Sequence, residues 1–312
     1  MKTGNTKKKA GFWKNIKANR YLLLMIMPSV LYIFVFSYLP LPGIVIAFKN
    51  FNYTKGIFGS DWVGFKNFGF LFQTGAIYRI TKNTIVYNLL FIIFDIIFQV
   101  GIAVILSEIM GKRCKKFMQS ALLLPYFISW VVAGTILYNI LNTKYGLVNG
   151  ILSSLGHDKI NFMNNPSIWP ALFVFFHVWK GLGYGSVVYL AAITGIDQEI
   201  YEAAQIDGAG IIQRIFRITL PMLKPTIIIL FVLHVGSIIK GDFGMFYNLT
   251  GNNALLYNVS DVIDTFVYRS MTQTQNFSMS AAAGLYQSVM GFVIVMITNT
   301  IVKKIESDYA LF

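Results

Sequence analysis

The sequence predicts an all-α membrane protein with six transmembrane helices. Three observations predict it. Of the 312 residues, 55% are hydrophobic and only 12% are charged, where a soluble globular domain carries about 25% charged residues. Six stretches approach the roughly 20 apolar residues that a helix needs to cross a hydrocarbon core about 30 Å thick. The Lys and Arg residues gather in the flanks of those stretches rather than within them.

The first span runs from Tyr21 to Phe48 without a charge. Pro28, Pro40 and Pro42 lie inside it. Each lacks a backbone donor, so the spacing predicts a bent helix that breaks near Pro40. The stretch is too long for a cleaved signal peptide, and no small-residue cleavage site follows it. The second span, from about Thr84 to Leu106, contains Asp95 and Gln99. The third is Phe117 to Leu141 and the fourth Ile168 to Ile193. The fifth, Thr226 to Ile239, is short unless it begins near Leu220. The sixth is Ser280 to Val302.

Net charge is +13. A basic balance serves nucleic acid or an anionic membrane surface. Here the charges flank apolar spans, so orientation in a membrane accounts for them and no nucleic acid is implied. Of the 26 Lys and Arg, sixteen fall on one side: the 1–20 tail, 109–116, 194–225 and the C-terminal tail. Nine fall in the longer opposite connections, 49–83, 142–167 and 240–279. Positive charge marks the cytoplasmic side. The chain therefore divides into a basic cytoplasmic tail (1–20), a six-helix transmembrane domain (21–302) with a cytoplasmic connection (194–225), and a cytoplasmic C-terminal tail (303–312). The single Cys114 excludes a disulfide framework and a cysteine metal site.

The connection after the fourth span is unlike the others. Ile200 to Ile206 reads as a helix, with Asp197 and Glu199 at the end where acids suit the dipole. Asp207, Gly208 and Gly210 break it. A second, amphipathic helix follows, with Ile211, Ile212, Ile215, Phe216 and Ile218 apolar and Arg214 and Arg217 between them. Pro221 and Pro225 mark the entry to the fifth span. Ala203, Ala204, Gly208 and Ala209 are small enough to let another protein's surface come close. The residues alone leave open an interfacial helix lying on lipid.

Glu202-Ala203-Ala204, two residues, Asp207-Gly208-Ala209, eight residues and Ile218-Thr219-Leu220-Pro221 together resemble the EAA signature of ABC importer permeases. The resemblance covers the chain from about Tyr21 to its end. It is nearest the maltose-type carbohydrate branch, and within it the polysaccharide and oligosaccharide permeases of Gram-positive bacteria. The stretches Tyr38 to Phe51, Gly56 to Phe68 and Leu123 to Val132 carry that narrower likeness. One departure is the lack of a long inserted domain between early spans. The resemblance implies a type I importer permease fold in a bacterial plasma membrane. It implies a heterodimer with a second permease, an ATPase dimer that carries the ATP and Mg, and a lipid-anchored extracellular binding protein that delivers an oligosaccharide. No cofactor would sit on this chain. Glu202, Ala203, Ala204, Asp207, Gly208, Ala209, Leu220 and Pro221 would form the ATPase-coupling segment, Glu202 anchoring it and Gly208 permitting its turn.

Ionisable groups inside spans are costly against lipid and face the bundle interior. Asp95 and Gln99 share one helix face, as do His177 and Lys180, and His234 joins them as an interior candidate. Pairing of Asp95 with Lys180 between helices is expected. Sugars are bound by aromatic faces and by side chains with several hydrogen-bonding atoms, so Trp130, Tyr138, Asn139, Trp179 and Tyr184 are the other path candidates. Packing or interfacial belts also use such aromatics. Gly181, Gly183 and Gly185 read as a close helix-packing face.

Other functions find less in the sequence. A secondary transporter working alone would need an ion relay and often an internal repeat, and the spans hold one carboxylate, Asp95. No H-E-x-x-H, G-x-S-x-G or phosphate-loop motif supplies enzyme chemistry. An ABC importer for a non-carbohydrate solute stays open at this point.

Overall fold

The apolar segments all become helices, and their polar flanks become caps and short turns. The computed structural model describes residues 19–109 and 111–305. Most of the expected 1–20 and 303–312 tails lies outside the described residues. The first span is α1 (Arg20–Ile33), which passes into a π turn (Phe34–Tyr38) and a 3-10 stretch (Leu41–Phe48). The helix type changes ahead of Pro40, because Pro40 has no N–H for the Phe36 carbonyl and the Leu39 amide reaches back to Phe34 instead. A two-residue antiparallel ribbon follows, β1 (Lys49–Asn50) against β2 (Asp61–Trp62), with Lys49 opposite Trp62.

Then come α2 (Lys66–Gln73) and the long α3 (Ala76–Glu108). The third span is α4 (Lys112–Leu123) and α5 (Trp130–Leu141), joined by a 3-10 turn over Leu124–Phe127. Helix α6 (Leu147–Ser154) precedes α7 (Trp169–Thr194), the fourth span. The connection contributes α8 (Gln198–Ile206) and α9 (Ile211–Arg214). The fifth span is α10 (Leu220–Gly236), entered through a π turn at Ile215–Thr219. Helices α11 (Phe243–Thr250) and α12 (Ile263–Thr272) lead to the sixth span, α13 (Phe277–Ile305).

Among the described residues five helices are long and apolar enough to cross a membrane, and the bent α4–α5 pair makes a sixth when counted as one span. The single helix expected over Phe117–Leu141 is therefore corrected: its halves meet at 92°. Pro125 removes a donor and disfavours helix in the residue before it. Ser129 then restarts the helix, its Oγ accepting from the Val132 N–H at 3.3 Å.

Helices α3 and α7 pack along most of their lengths and form the spine of the bundle. The three glycines of α7 divide between two faces rather than forming one, Gly183 against α4 and Gly181 and Gly185 toward α3. A Cβ at Gly183 would overlap the Leu122 carbonyl, and one at Gly185 the Gln99 amide. At the end carrying the 194–225 connection, here the lower end, Val100, Ala103, Leu106, Tyr189, Ile193 and Leu223 form one core. It joins the feet of α3, α7 and α10. The upper end has its own aromatic core of Tyr87, Trp169, Phe173 and Phe246. Helix α1 has no buried residue at all.

Candidate functional site

Two groups of residues stand out, one below the bundle and one inside it. The lower group is the 194–225 connection. Asp197 caps α8, its Oδ1 accepting from the Glu199 N–H at 3.1 Å. This satisfies one of the donors that a helix start leaves free. None of the residues of α8 is buried. Glu202, Ala203 and Asp207 are exposed, Ala204 and Ala209 half-buried, and Ile206 is 87% exposed. Gly208 has φ +79°, a left-handed conformation that costs glycine little and other residues more. The Ala209 N–H meanwhile reaches the Ala204 carbonyl at 2.9 Å, closing the helix end. The Gln213 side chain accepts from the Gly210 N–H at 3.1 Å and starts α9. Leu220 packs into the lower core and Pro221 sits in the first turn of α10, where its missing donor costs nothing.

The connection is tied to the bundle by side chains that the sequence reading missed. The Tyr201 hydroxyl lies 2.9 Å from Thr219 Oγ1. Thr219 is buried in the π turn and reaches the Arg214 carbonyl at 3.5 Å. Arg214 in turn stands 3.8 Å from Glu108, at the foot of α3. Charges spaced at Glu108 and Arg214 could have hinted at this pairing, but a hydroxyl pair 18 residues apart leaves no pattern.

The second group lies in the spans. Asp95, 6% exposed, pairs with His177 through Oδ2 and Nε2 at 3.1 Å. The expected Asp95–Lys180 pair does not form. Lys180 sits one turn further along α7, level with the break in the third span. Its ammonium donates to the carbonyls of Pro125 at 3.4 Å, Tyr126 at 2.8 Å and Ile128. It also lies over the Trp130 ring, 5.3 Å from the centroid. The bend leaves the Tyr126 and Ile128 carbonyls without a helical donor, and the cation takes that place, while the Pro125 carbonyl also accepts from the Ile128 N–H at 3.1 Å. Trp130 donates its indole N–H to Asp242 at 2.9 Å, which places a second carboxylate near this lysine.

The remaining candidates separate. His177 stacks on Phe91 with centroids 4.0 Å apart. Gln99, Tyr189 and His234 join Asp95 around a cavity of about 10 Å³. Tyr184 and Tyr126 stack at 4.9 Å on an exposed face. Tyr138 and Asn139 are exposed on α5. Trp179 turns instead into an apolar groove of about 660 Å³ with Leu90, Phe94, Phe98 and Val174. The structure thus gathers Asp95, Gln99, His177 and His234 in one place, and Trp130, Lys180 and Tyr184 beside the bend.

Comparison with known proteins gives the family. Residues 82–307 match the model of the binding-protein-dependent transport system inner membrane component. The polygalacturonan/rhamnogalacturonan transport system permease protein YteP of Bacillus subtilis is 36% identical over 93% of this chain and 89% of its own length. Protein LplB of the same organism is 33% identical over 94% and 92%. A crystal structure of a bacterial ABC transporter involved in the import of the acidic polysaccharide alginate contains a chain that superposes with TM-score 0.85 and 34% identity. That match covers 94% of this chain and 99% of the other. The chain belongs to the binding-protein-dependent transport system inner membrane component family. It is a permease subunit of an ABC importer, a transport subunit rather than an enzyme.

Membership gives the permease's two groups of residues their setting. A permease needs a part that meets its energy source and a part that lines a path. The unburied α8 suits the first, and the bent third span suits the second.

Proposed function

We propose that this permease and a second, different permease together form the path by which an oligosaccharide, handed over by an extracellular binding protein, enters a bacterial cell. The excess of Lys and Arg around the lower end supports a cytoplasmic position for it and for both termini. The sugar assignment draws on the substrates of the relatives, which are polysaccharides. Tyr126 and Tyr184 offer stacked aromatic faces beside the bend, and the Lys180 ammonium is already engaged by carbonyls. Sugar rings would accordingly meet aromatic faces and amides there.

One observation carries the energy coupling. Helix α8 is formed, capped and closed by a left-handed glycine, yet buries nothing in its own chain. A short helix that projects exposed Ile206 and Glu202 from the lower end is built to dock into something else. The occupant is a separate ATPase dimer that binds ATP and Mg. The test is purification of the tagged chain from its native membrane in mild detergent, with Glu202→Ala alongside. A second permease and an ATPase should accompany the parent chain, and the ATPase alone should be depleted at least tenfold in the variant. A lone chain, or an ATPase retained equally by both, would sink the assignment of α8 to coupling.

A further inference from the structure

The bonds that hold α8 to the bundle form a continuous line. Tyr201 is half-buried on α8, and its hydroxyl meets Thr219 Oγ1 at 2.9 Å. Thr219 is 2% exposed. It spends its own proton on the Arg214 carbonyl, so in this arrangement Tyr201 is the donor to Thr219. Arg214 has only 13% of its side chain exposed and points at Glu108, 3.8 Å away. The line runs from α8 to the π turn, to α9 and to the foot of α3.

Its placement matters because of what it crosses. A π turn holds one residue more than an α turn and is a local weak point in a helix. Here the five residues Ile215–Thr219 form that turn directly below the fifth span. Ile215 and Leu220, on either side, pack into the core that joins the feet of α3, α7 and α10. Helix α8 is joined to α7 by a three-residue link, 195–197, that contains Gly195, and to α9 by the Gly208–Gly210 break. Both backbone links hold glycines, so they bend when α8 is pushed. A side-chain bond that bypasses them transmits displacement more directly.

We infer that the Tyr201 hydroxyl is a positioning group that couples movement of α8 to the fifth span, by gripping Thr219 in the π turn, and through Arg214 and Glu108 to the second. The inference rests on the reading of α8 as the ATPase-docking helix. Tyr201 touches neither nucleotide nor sugar; it acts through Thr219.

The experiment uses the assembled importer in lipid, with Cys114→Ser and spin labels at Ser154→Cys and Gln273→Cys, two exposed positions at the upper end. The label separation is compared without nucleotide and with ATP trapped by vanadate. ATPase retention and ATP hydrolysis are measured on the same samples. Tyr201→Phe removes one oxygen. It should retain the ATPase and hydrolyse ATP within about twofold of the parent, while the change in label separation falls at least threefold. Thr219→Val should do the same, and Thr219→Ser should restore the parent's response. The double variant Tyr201→Phe, Thr219→Val should be no worse than either single one. A full change in separation in Tyr201→Phe, with the ATPase bound, overturns the inference and leaves the docking assignment standing. Loss of the ATPase in Tyr201→Phe and in Thr219→Val also overturns it, because the hydroxyl would then be shaping the docking surface. Absence of any ATPase on the parent chain overturns the docking assignment itself.

Discussion

Lys180 shows how much a single side chain can do in a span. A lysine in lipid costs several kcal/mol, so its presence needs a partner. Sequence reasoning supplied the wrong one, Asp95, because charge invites charge. The carboxylate found His177, and the ammonium found carbonyl oxygens left over by the Pro125 bend. Carbonyls do not show in a sequence as partners, and the bend that frees them was read as continuous helix. Removing the ammonium takes a charged donor from the Tyr126 and Ile128 carbonyls, and a hydrogen bond to a charged group contributes about 1.5–3 kcal/mol. Lys180→Met should therefore lower the thermal unfolding midpoint of the detergent-purified importer. Its helix content by circular dichroism should stay unchanged at low temperature. An unshifted midpoint would show that the bend holds itself.

At the scale of the element, helix existence was legible and helix shape was not. Every apolar stretch became helix, since length and composition decide that. The second span gained most: α3 begins at Ala76 where Thr84 was expected, because Ile77 and Ile80 in its first two turns pack into a separate core with Ala47, Leu71 and Ile263. The prolines marked where the helices are disturbed, Pro40 after the π turn at Phe34–Tyr38 and Pro221 after that at Ile215–Thr219, but not that the disturbance takes the form of a π turn. Close packing by the α7 glycines was legible because Gly181 and Gly185 have the small-xxx-small spacing that lets helices approach, whereas the separate contact of Gly183 with α4 was not. Gly183 lies against the Leu122 carbonyl, which cannot retreat. Gly183→Ala should cost about 1–3 kcal/mol by overpacking, read as a lowered midpoint. Gly101→Ala, where a methyl meets open space, should be neutral. Equal effects of the two would remove close packing as the role of this glycine.

The whole molecule is one bundle whose two ends differ in kind. The upper end is closed by aromatic packing and long ordered connections, the lower by short aliphatic packing and the projecting α8. Family and fold class were legible because the E-A-A and D-G-A spacing is specific and the apolar lengths are unambiguous. Which face meets the second permease was not, since exposed apolar residues surround every span. The orientation proposed from the Lys and Arg count has a direct check. Cys114 is exposed at the foot of α4. A membrane-impermeant maleimide applied to intact cells should leave Cys114 unlabelled and should label Ser154→Cys, on the opposite connection. The reverse pattern would invert the molecule in the bilayer.

Helix α1 buries none of its residues against the remainder of the chain. During synthesis it leaves the ribosome ahead of the five crossings described after it, and nothing in the bundle has to be waiting for it. The bilayer alone can receive it, since its whole circumference is apolar enough to face lipid tails. The two-stage picture of membrane folding, insertion and then association, therefore applies to it in a literal form. Its insertion does not wait for its association, since among the described residues nothing in its own chain covers it.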